Sequence, residues 1–289
     1  MDKAKIQKQP EKNSGRTRLL TAVIVLPFLI ASILIPWLKW LFVALAGAAM
    51  ALGLFEFYVL AKRLQIKPNT SAGFLGSSAI FVICLFFNDL SLNLFLIQIT
   101  LVVLTAGTLI AAAVRGEAFD KIIGSTGATI LGVLYVTLLG SHLLSLRLGF
   151  DQLLSAHLLS FFFLVLMGAD SGAYYTGRAL GKHKLAPKIS PGKTWEGVAG
   201  GVVVALAMAT LSHFWFFREL PLKWALPIAL IMTVVGILGD LTESALKRGA
   251  GAKDAANILP GHGGILDRLD SLLFNAPLIY YFARFYFSS

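Results

Sequence analysis

Nine stretches of this sequence are long and apolar enough to cross a hydrocarbon core of about 30 Å. They run approximately over residues 19–36, 40–61, 72–88, 90–114, 122–146, 157–180, 197–216, 224–246 and 271–287. The third is short and the fifth is rich in Gly, Ser and Thr, so their apolar signals are the weakest of the nine. The runs are continuous, with none of the alternation of barrel strands, and they are far too long for such strands. The expectation is an all-α, polytopic transmembrane bundle. Composition agrees: 57% of the residues are hydrophobic, only 14% are charged, and mean hydropathy is +0.77. Soluble domains carry about 25% charged residues, so lipid must solvate much of this chain.

The basic residues give the orientation. With nine spans and a cytoplasmic N-terminus, 20 of the 25 Lys and Arg fall on one side of the membrane and 5 on the other. Basic residues concentrate on the cytoplasmic side, which predicts an N-in, C-out topology in the inner membrane. The formal charge of +10 is therefore a topology signal. It is strung between apolar runs and forms no dense patch, so no nucleic-acid partner is expected. The apolar run from Leu19 follows a basic tail but lacks a small-residue cleavage site, and an uncleaved first span is expected. Cys84 is the single cysteine, so no intrachain disulfide forms. The chain divides into a basic tail (1–18), an N-terminal region of about five spans (19–150) and a C-terminal region of about four (151–289). The latter carries the chemistry.

The two longest charged loops, about 181–196 and 247–270, fall on the same predicted face. The eighth span ends Gly239-Asp240-Leu241-Thr242-Glu243-Ser244-Ala245-Leu246-Lys247-Arg248. On a helix Asp240, Ser244 and Lys247 share a face, with Glu243 alongside. An acid in the last turns of a span is costly, and simple pairing with Lys247 or Arg248 is one explanation. The loop beyond offers another. It contains Lys253-Asp254 and then Leu259-Pro260-Gly261-His262-Gly263-Gly264-Ile265-Leu266-Asp267-Arg268-Leu269-Asp270. Asp267 and Asp270 are three apart, so both carboxylates fall on one face as the ninth span begins. Such oxygen ligands suit Mg²⁺, which takes one or two carboxylates plus phosphate oxygens and water. The glycines would let backbone N–H groups approach a phosphate at a helix N-terminus. Carboxylates for metal beside cations for phosphate are what phosphoryl transfer uses.

A second group surrounds the sixth span. Asp170 lies in Gly168-Ala169-Asp170-Ser171-Gly172, inside a segment that must cross lipid, and Ser190-Pro191-Gly192-Lys193-Thr194-Trp195-Glu196-Gly197 follows. Gly192-Lys193-Thr194 is not a nucleotide P-loop, because Pro187 stands where that motif needs glycine. Two readings remain: a basic, hydroxyl-bearing loop that holds a phosphate electrostatically, with Lys193 among its cations, or a positive-inside loop with no substrate role. His142, His157 and His213 share no metal-ligand spacing and are read as packing residues. The aromatics Phe161, Phe162 and Phe163, with the cluster from Phe214 to Phe217, are expected to face lipid or its interface.

The run Ser244-x-Leu246-Lys247-Arg248-x₄-Lys253-Asp254-x-Ala256-x₂-Leu259-Pro260-x-His262-Gly263-Gly264-x₂-Asp267-Arg268-x-Asp270 resembles the signature of the phosphatidate cytidylyltransferases, or CDP-diacylglycerol synthases, with no departure at a constrained position. The Asp170 segment and the Ser190–Gly197 stretch are similar to the same family. Upstream of residue 150 the likeness rests mainly on hydropathy. The resemblance implies transfer of a cytidylyl group from CTP to phosphatidate at the bilayer surface with Mg²⁺ and a homodimeric assembly; a second cation is left open. It implies that Asp240 and Asp267 are metal ligands with Asp270 assisting, that Ser244, Lys247 and Arg248 contact phosphate, and that Asp170 belongs to the substrate site. Lys193, Lys253, Asp254, His262 and Arg268 are expected to complete the substrate contacts. A CDP-alcohol phosphotransferase would need an Asp-Gly-x₂-Ala-Arg run that is absent here. An ion-coupled transporter would place its acids near midplane, ideally within an inverted repeat, and no repeat is found. A structural scaffold would leave the phosphate-type residues unexplained.

Overall fold

A computed structural model of the chain describes residues 26–87, 89–116, 118–252 and 264–287. Residues 26–34 are helical and lead through a single 3₁₀ turn, Pro36–Leu38, into α1 (Lys39–Arg63). There follow α2 (Thr70–Phe86), α3 (Leu90–Val114), α4 (Phe119–Leu148) and α5 (Gln152–Leu180). A short ribbon comes next, β1 (Lys184–Ala186) and β2 (Ser190–Thr194), and then α6 (Trp195–Trp215), α7 (Leu222–Gly249) and α8 (Leu266–Phe287). Among the described residues six helices, Pro36–Arg63 and α3 to α7, are long and apolar enough to cross a membrane; α2, with 17 residues, is a shorter apolar helix. The protein is an all-α polytopic membrane protein with one small ribbon on a loop.

Helix ends sit where polar side chains stop the apolar runs. Asn69, Asp89, Asp151 and Thr194 each accept a backbone N–H of the following helix, capping α2, α3, α5 and α6. Within α4 the residues Val133–Leu138 form a π-helical turn. Such a turn displaces the side chains that follow from their α-helical positions.

The C-terminal helices α5, α6, α7 and α8 pack around one apolar core. Phe161, Phe162 and Phe217 lie within it at 0% exposure, against the expectation that they face lipid. The run around Phe161 is apolar on every side, so its sequence carries no periodicity to mark an inner face. Phe217 closes back beneath α5 just beyond α6, its ring 6.1 Å from that of Phe161. Phe214 and Trp215 do face outward. A second core joins the two halves of the chain: Leu54, Phe57 and Tyr58 of α1 and Tyr135 and Val136 of α4 meet Leu266 and Leu273 of α8.

The α5–α6 contact is close enough to need glycine. A methyl added at Gly172 would stand 2.8 Å from the Gly200 carbonyl oxygen and 2.6 Å from Val204, and one at Gly201 would stand 2.9 Å from the Ala169 carbonyl oxygen. Small residues at such crossings let backbones approach in lipid, where little hydrophobic drive separates protein from solvent. Gly172→Val should therefore wedge the pair apart and cost about 1–3 kcal/mol. A lower thermal unfolding midpoint in detergent, read by loss of the monodisperse chromatographic peak, would register it.

Candidate functional site

The ribbon between α5 and α6 replaces what the sequence presents as an irregular basic loop. Its strands pair antiparallel, Lys184 opposite Thr194 and Ala186 opposite Ser190, and Ile189 N–H donates to the Ala186 carbonyl at the turn. Three- and five-residue strands are too short to show a period in sequence. Their open end is held by Glu196, in the first turn of α6. Its carboxylate accepts from the Lys182 and His183 amides at 3.1–3.2 Å and lies 2.6 Å from His183 Nδ1. An acid in a first helical turn also suits the helix dipole. The ribbon is thereby fixed to α6 and presents Lys193 towards α7.

Two lysine–carboxylate links then organise this end of the bundle. Lys193 Nζ lies 2.6 Å from Asp240 Oδ2, joining ribbon to α7, and Ser244 Oγ donates to Asp240 Oδ1 at 3.3 Å from the next turn. Seven residues beyond Asp240, Lys247 Nζ lies 2.7 Å from Glu243 Oε2 and 2.5 Å from Asp267 Oδ1, joining α7 to α8. Asp267 Oδ2 accepts from Gly264 N–H at 2.9 Å. Glu243 is 1% exposed and the Asp267 side chain 13%, whereas that of Asp240 is 38% exposed. So the simple pairing open to the eighth span holds for Glu243 and Lys247, while Asp240 turns to a lysine 47 positions upstream.

Asp170, on an outward face of α5, and Asp270, on α8, both lie in the electrostatic field of Asp240 and Lys193. Asp270 accepts from the Ser271 amide at 2.6 Å. Arg248 is exposed and leans on the ribbon, its Nε 3.4 Å from the Ile189 carbonyl oxygen. Arg268, one residue past Asp267, is exposed on the same turn of α8. Lys253, Asp254 and His262 lie outside the described residues. The structure thus brings Asp170, Lys193, Asp240, Ser244, Lys247, Arg248, Asp267, Arg268 and Asp270 to one end of the molecule. Among the described residues no three acidic, histidine or cysteine side chains stand close enough to form a metal cage. Asp240, Asp267 and Asp270 supply hard oxygen donors of the kind a hydrated Mg²⁺ accepts one or two at a time, its other positions going to phosphate and water.

Two residues of the N-terminal half complete the surroundings, and neither was singled out from the sequence. Glu56 of α1 is 0% exposed and its carboxylate accepts from the Ile265 and Leu266 amides at 2.9 and 2.7 Å. A lone acid inside an apolar span was the signal that could have found it. Tyr135, on the π-helical turn of α4, is buried beside Phe274. Its hydroxyl, without a hydrogen-bond partner among the described residues, lies in the field of Glu243, Asp270, Asp240 and Asp267. Nothing in the local sequence announces that turn. His142 and His213, by contrast, each bond a backbone carbonyl oxygen, as packing residues do.

A membrane bundle with carboxylates and cations interleaved at one end, and two helix termini converging there, defines an integral membrane protein with a charged site at that end. A family model described as the cytidylyltransferase family matches residues 16–286, nearly the whole chain. The chain belongs to the cytidylyltransferase family. Among curated proteins it is similar to the phosphatidate cytidylyltransferase of Bacillus subtilis, 54% identical over 118 residues. It is also similar to those of Haemophilus influenzae, 46% over 134 residues, and Staphylococcus haemolyticus, 47% over 123. These alignments cover 41–45% of this chain and 44–47% of the relatives' own lengths.

Proposed function

We propose that this protein is a phosphatidate cytidylyltransferase. A phosphate oxygen of phosphatidate attacks the α-phosphorus of CTP, the bond from that phosphorus to the β-phosphate oxygen breaks, and CDP-diacylglycerol and pyrophosphate leave. The observation that carries the reading is the pair of links Lys193–Asp240 and Lys247–Asp267, set at one end of an apolar bundle in a chain of this family. A lipid phosphate held at the bilayer surface and a nucleotide arriving from water can meet there.

The attacking group is already an anion and needs no strong base. The difficulty is repulsion between two anions. Lys193 and Lys247 are point charges poised to exchange a carboxylate for a phosphate, and Arg248 can grip a phosphate through two nitrogens. Bound Mg²⁺, held by one or two of Asp240, Asp267 and Asp270, would supply charge neutralisation at the reacting phosphates and the departing pyrophosphate. Asp170 borders the site from α5, and Ser244, Arg268, Lys253, Asp254 and His262 would add substrate contacts. The 20-to-5 division of basic residues supports nine spans with the N-terminus in the cytoplasm. It likewise supports an inner-membrane location with the site facing the cytoplasm. Homodimeric assembly follows from the family likeness, which leaves a second cation open.

The test is direct. Detergent-purified protein is mixed with labelled CTP, phosphatidate and Mg²⁺, and label should enter the lipid extract. No transfer, together with ion flux in proteoliposomes, would replace this reading with a transporter. Replacing the fork by a point charge gives a finer check: Arg248→Lys should retain the fold and lose about tenfold or more in kcat/KM, since a bidentate hold on phosphate is removed.

A further inference from the structure

The first half of the chain has no part in the proposed chemistry so far, yet it sends one charged group into the region beneath the site. Glu56 sits near the middle of α1's second half, fully buried, 209 residues from the first amide it meets. Its two oxygens take the successive N–H groups of Ile265 and Leu266, where α8 begins. The first amides of any helix lack partners inside it and are usually satisfied by a side chain just upstream. Here a carboxylate from a different helix does so with both oxygens. One hydrogen bond would leave the first turn free to pivot; two to neighbouring amides fix both its height and its rotation.

That rotation matters because of what the turn carries. Asp267 is the second residue of α8, and it reaches Lys247 on one side and Gly264 N–H on the other. With 3.6 residues per turn, a slip of one residue swings a side chain by about 100°. Such a slip would take Asp267 away from Lys247. An acid is an expensive way to cap a helix in lipid, where an uncharged side chain would cost less. Around it, Leu54, Phe57 and Leu266 belong to the apolar core that joins α1 to α8, and the carboxylate is buried there.

We propose that Glu56 is a positioning residue for cytidylyl transfer: from the core of α1 it sets the register and rotation of α8, and so the place of Asp267. This rests on the function proposed above. The test uses the full-length protein with Glu56→Gln and Glu56→Asp. Gln offers one acceptor and turns an amide towards the second N–H; Asp keeps the charge but falls a methylene short. In Glu56→Gln, kcat for label entering lipid should fall about 10- to 100-fold, the range expected when a reacting group is misplaced by about 1 Å. KM for CTP should change by less than about threefold, because Glu56 is buried in the core of α1 and α8. Glu56→Asp should fall between wild type and Gln.

Amide hydrogen exchange separates positioning from plain instability. Peptides covering residues 264–270 should exchange faster in Glu56→Gln while those of α5 and α6 stay unchanged. Wild-type turnover in Glu56→Gln would overturn the proposal. So would faster exchange throughout the bundle with activity falling only as the folded fraction does. If Glu56→Gln does not fold, the same two readouts on Glu56→Asp decide. If wild-type protein transfers no label, the function proposed above fails, and exchange at 264–270 still judges the cap: local loss of protection upholds it and unchanged protection refutes it.

Discussion

Folded Asp267→Asn should transfer no measurable cytidylyl group, a loss of about 10³-fold or more if charge stabilisation at the reacting phosphates is removed. The fold should survive, because the asparagine keeps an oxygen that can accept from Gly264 N–H, while Lys247 retains Glu243 at 2.7 Å. Losing one charged hydrogen bond to Lys247 costs about 1.5–3 kcal/mol at most. The measurement pairs label entering the lipid extract with a thermal midpoint on the same preparation. Full turnover in folded Asp267→Asn would dismiss Asp267, and any metal that depends on it, from the reaction.

Lys247→Met should be worse for stability than for any other property. Glu243 and Asp267 each lie within 3 Å of the same nitrogen, so their nearest oxygens are about 5 Å apart at most. Removing the ammonium leaves a buried carboxylate facing a half-buried one. Breaking a buried pair in this way costs about 3–5 kcal/mol, through the charge left uncompensated. A collapse of the thermal midpoint, with loss of monodisperse protein, is expected. Adding Glu243→Gln to Lys247→Met should recover much of the midpoint, because one of the two facing charges is gone, yet leave turnover low. If the double variant unfolds as readily as the single one, repulsion is not the cause.

The helices were largely legible because lipid imposes a length and an apolarity that sequence reports directly. The run at 90–114 coincides with α3, and those at 40–61 and 224–246 lie within α1 and α7. The candidate residues of α7 and α8 stood out for a different reason: Asp240, Asp267 and Asp270 are charges where charge is costly. What spacing hides is partnership. Lys193 and Asp240 are far apart in sequence, and only the ribbon's short pairing and the Glu196 clamp bring them together. The inward face of Phe161 and Phe162 was invisible in a run apolar on all sides. The π-helical turn that carries Tyr135 packs against α1 and α2, contacts that local propensity does not encode.

The core shared by α1, α4 and α8 also bears on how the molecule can be dissected. A fragment beginning near residue 151 would contain every aspartate and lysine of the proposed site. It would nevertheless expose the Leu266–Leu273 flank of α8 and present two bare amides to the bilayer. Supplying residues 26–148 as a separate polypeptide should restore both, provided the pieces meet in the same membrane.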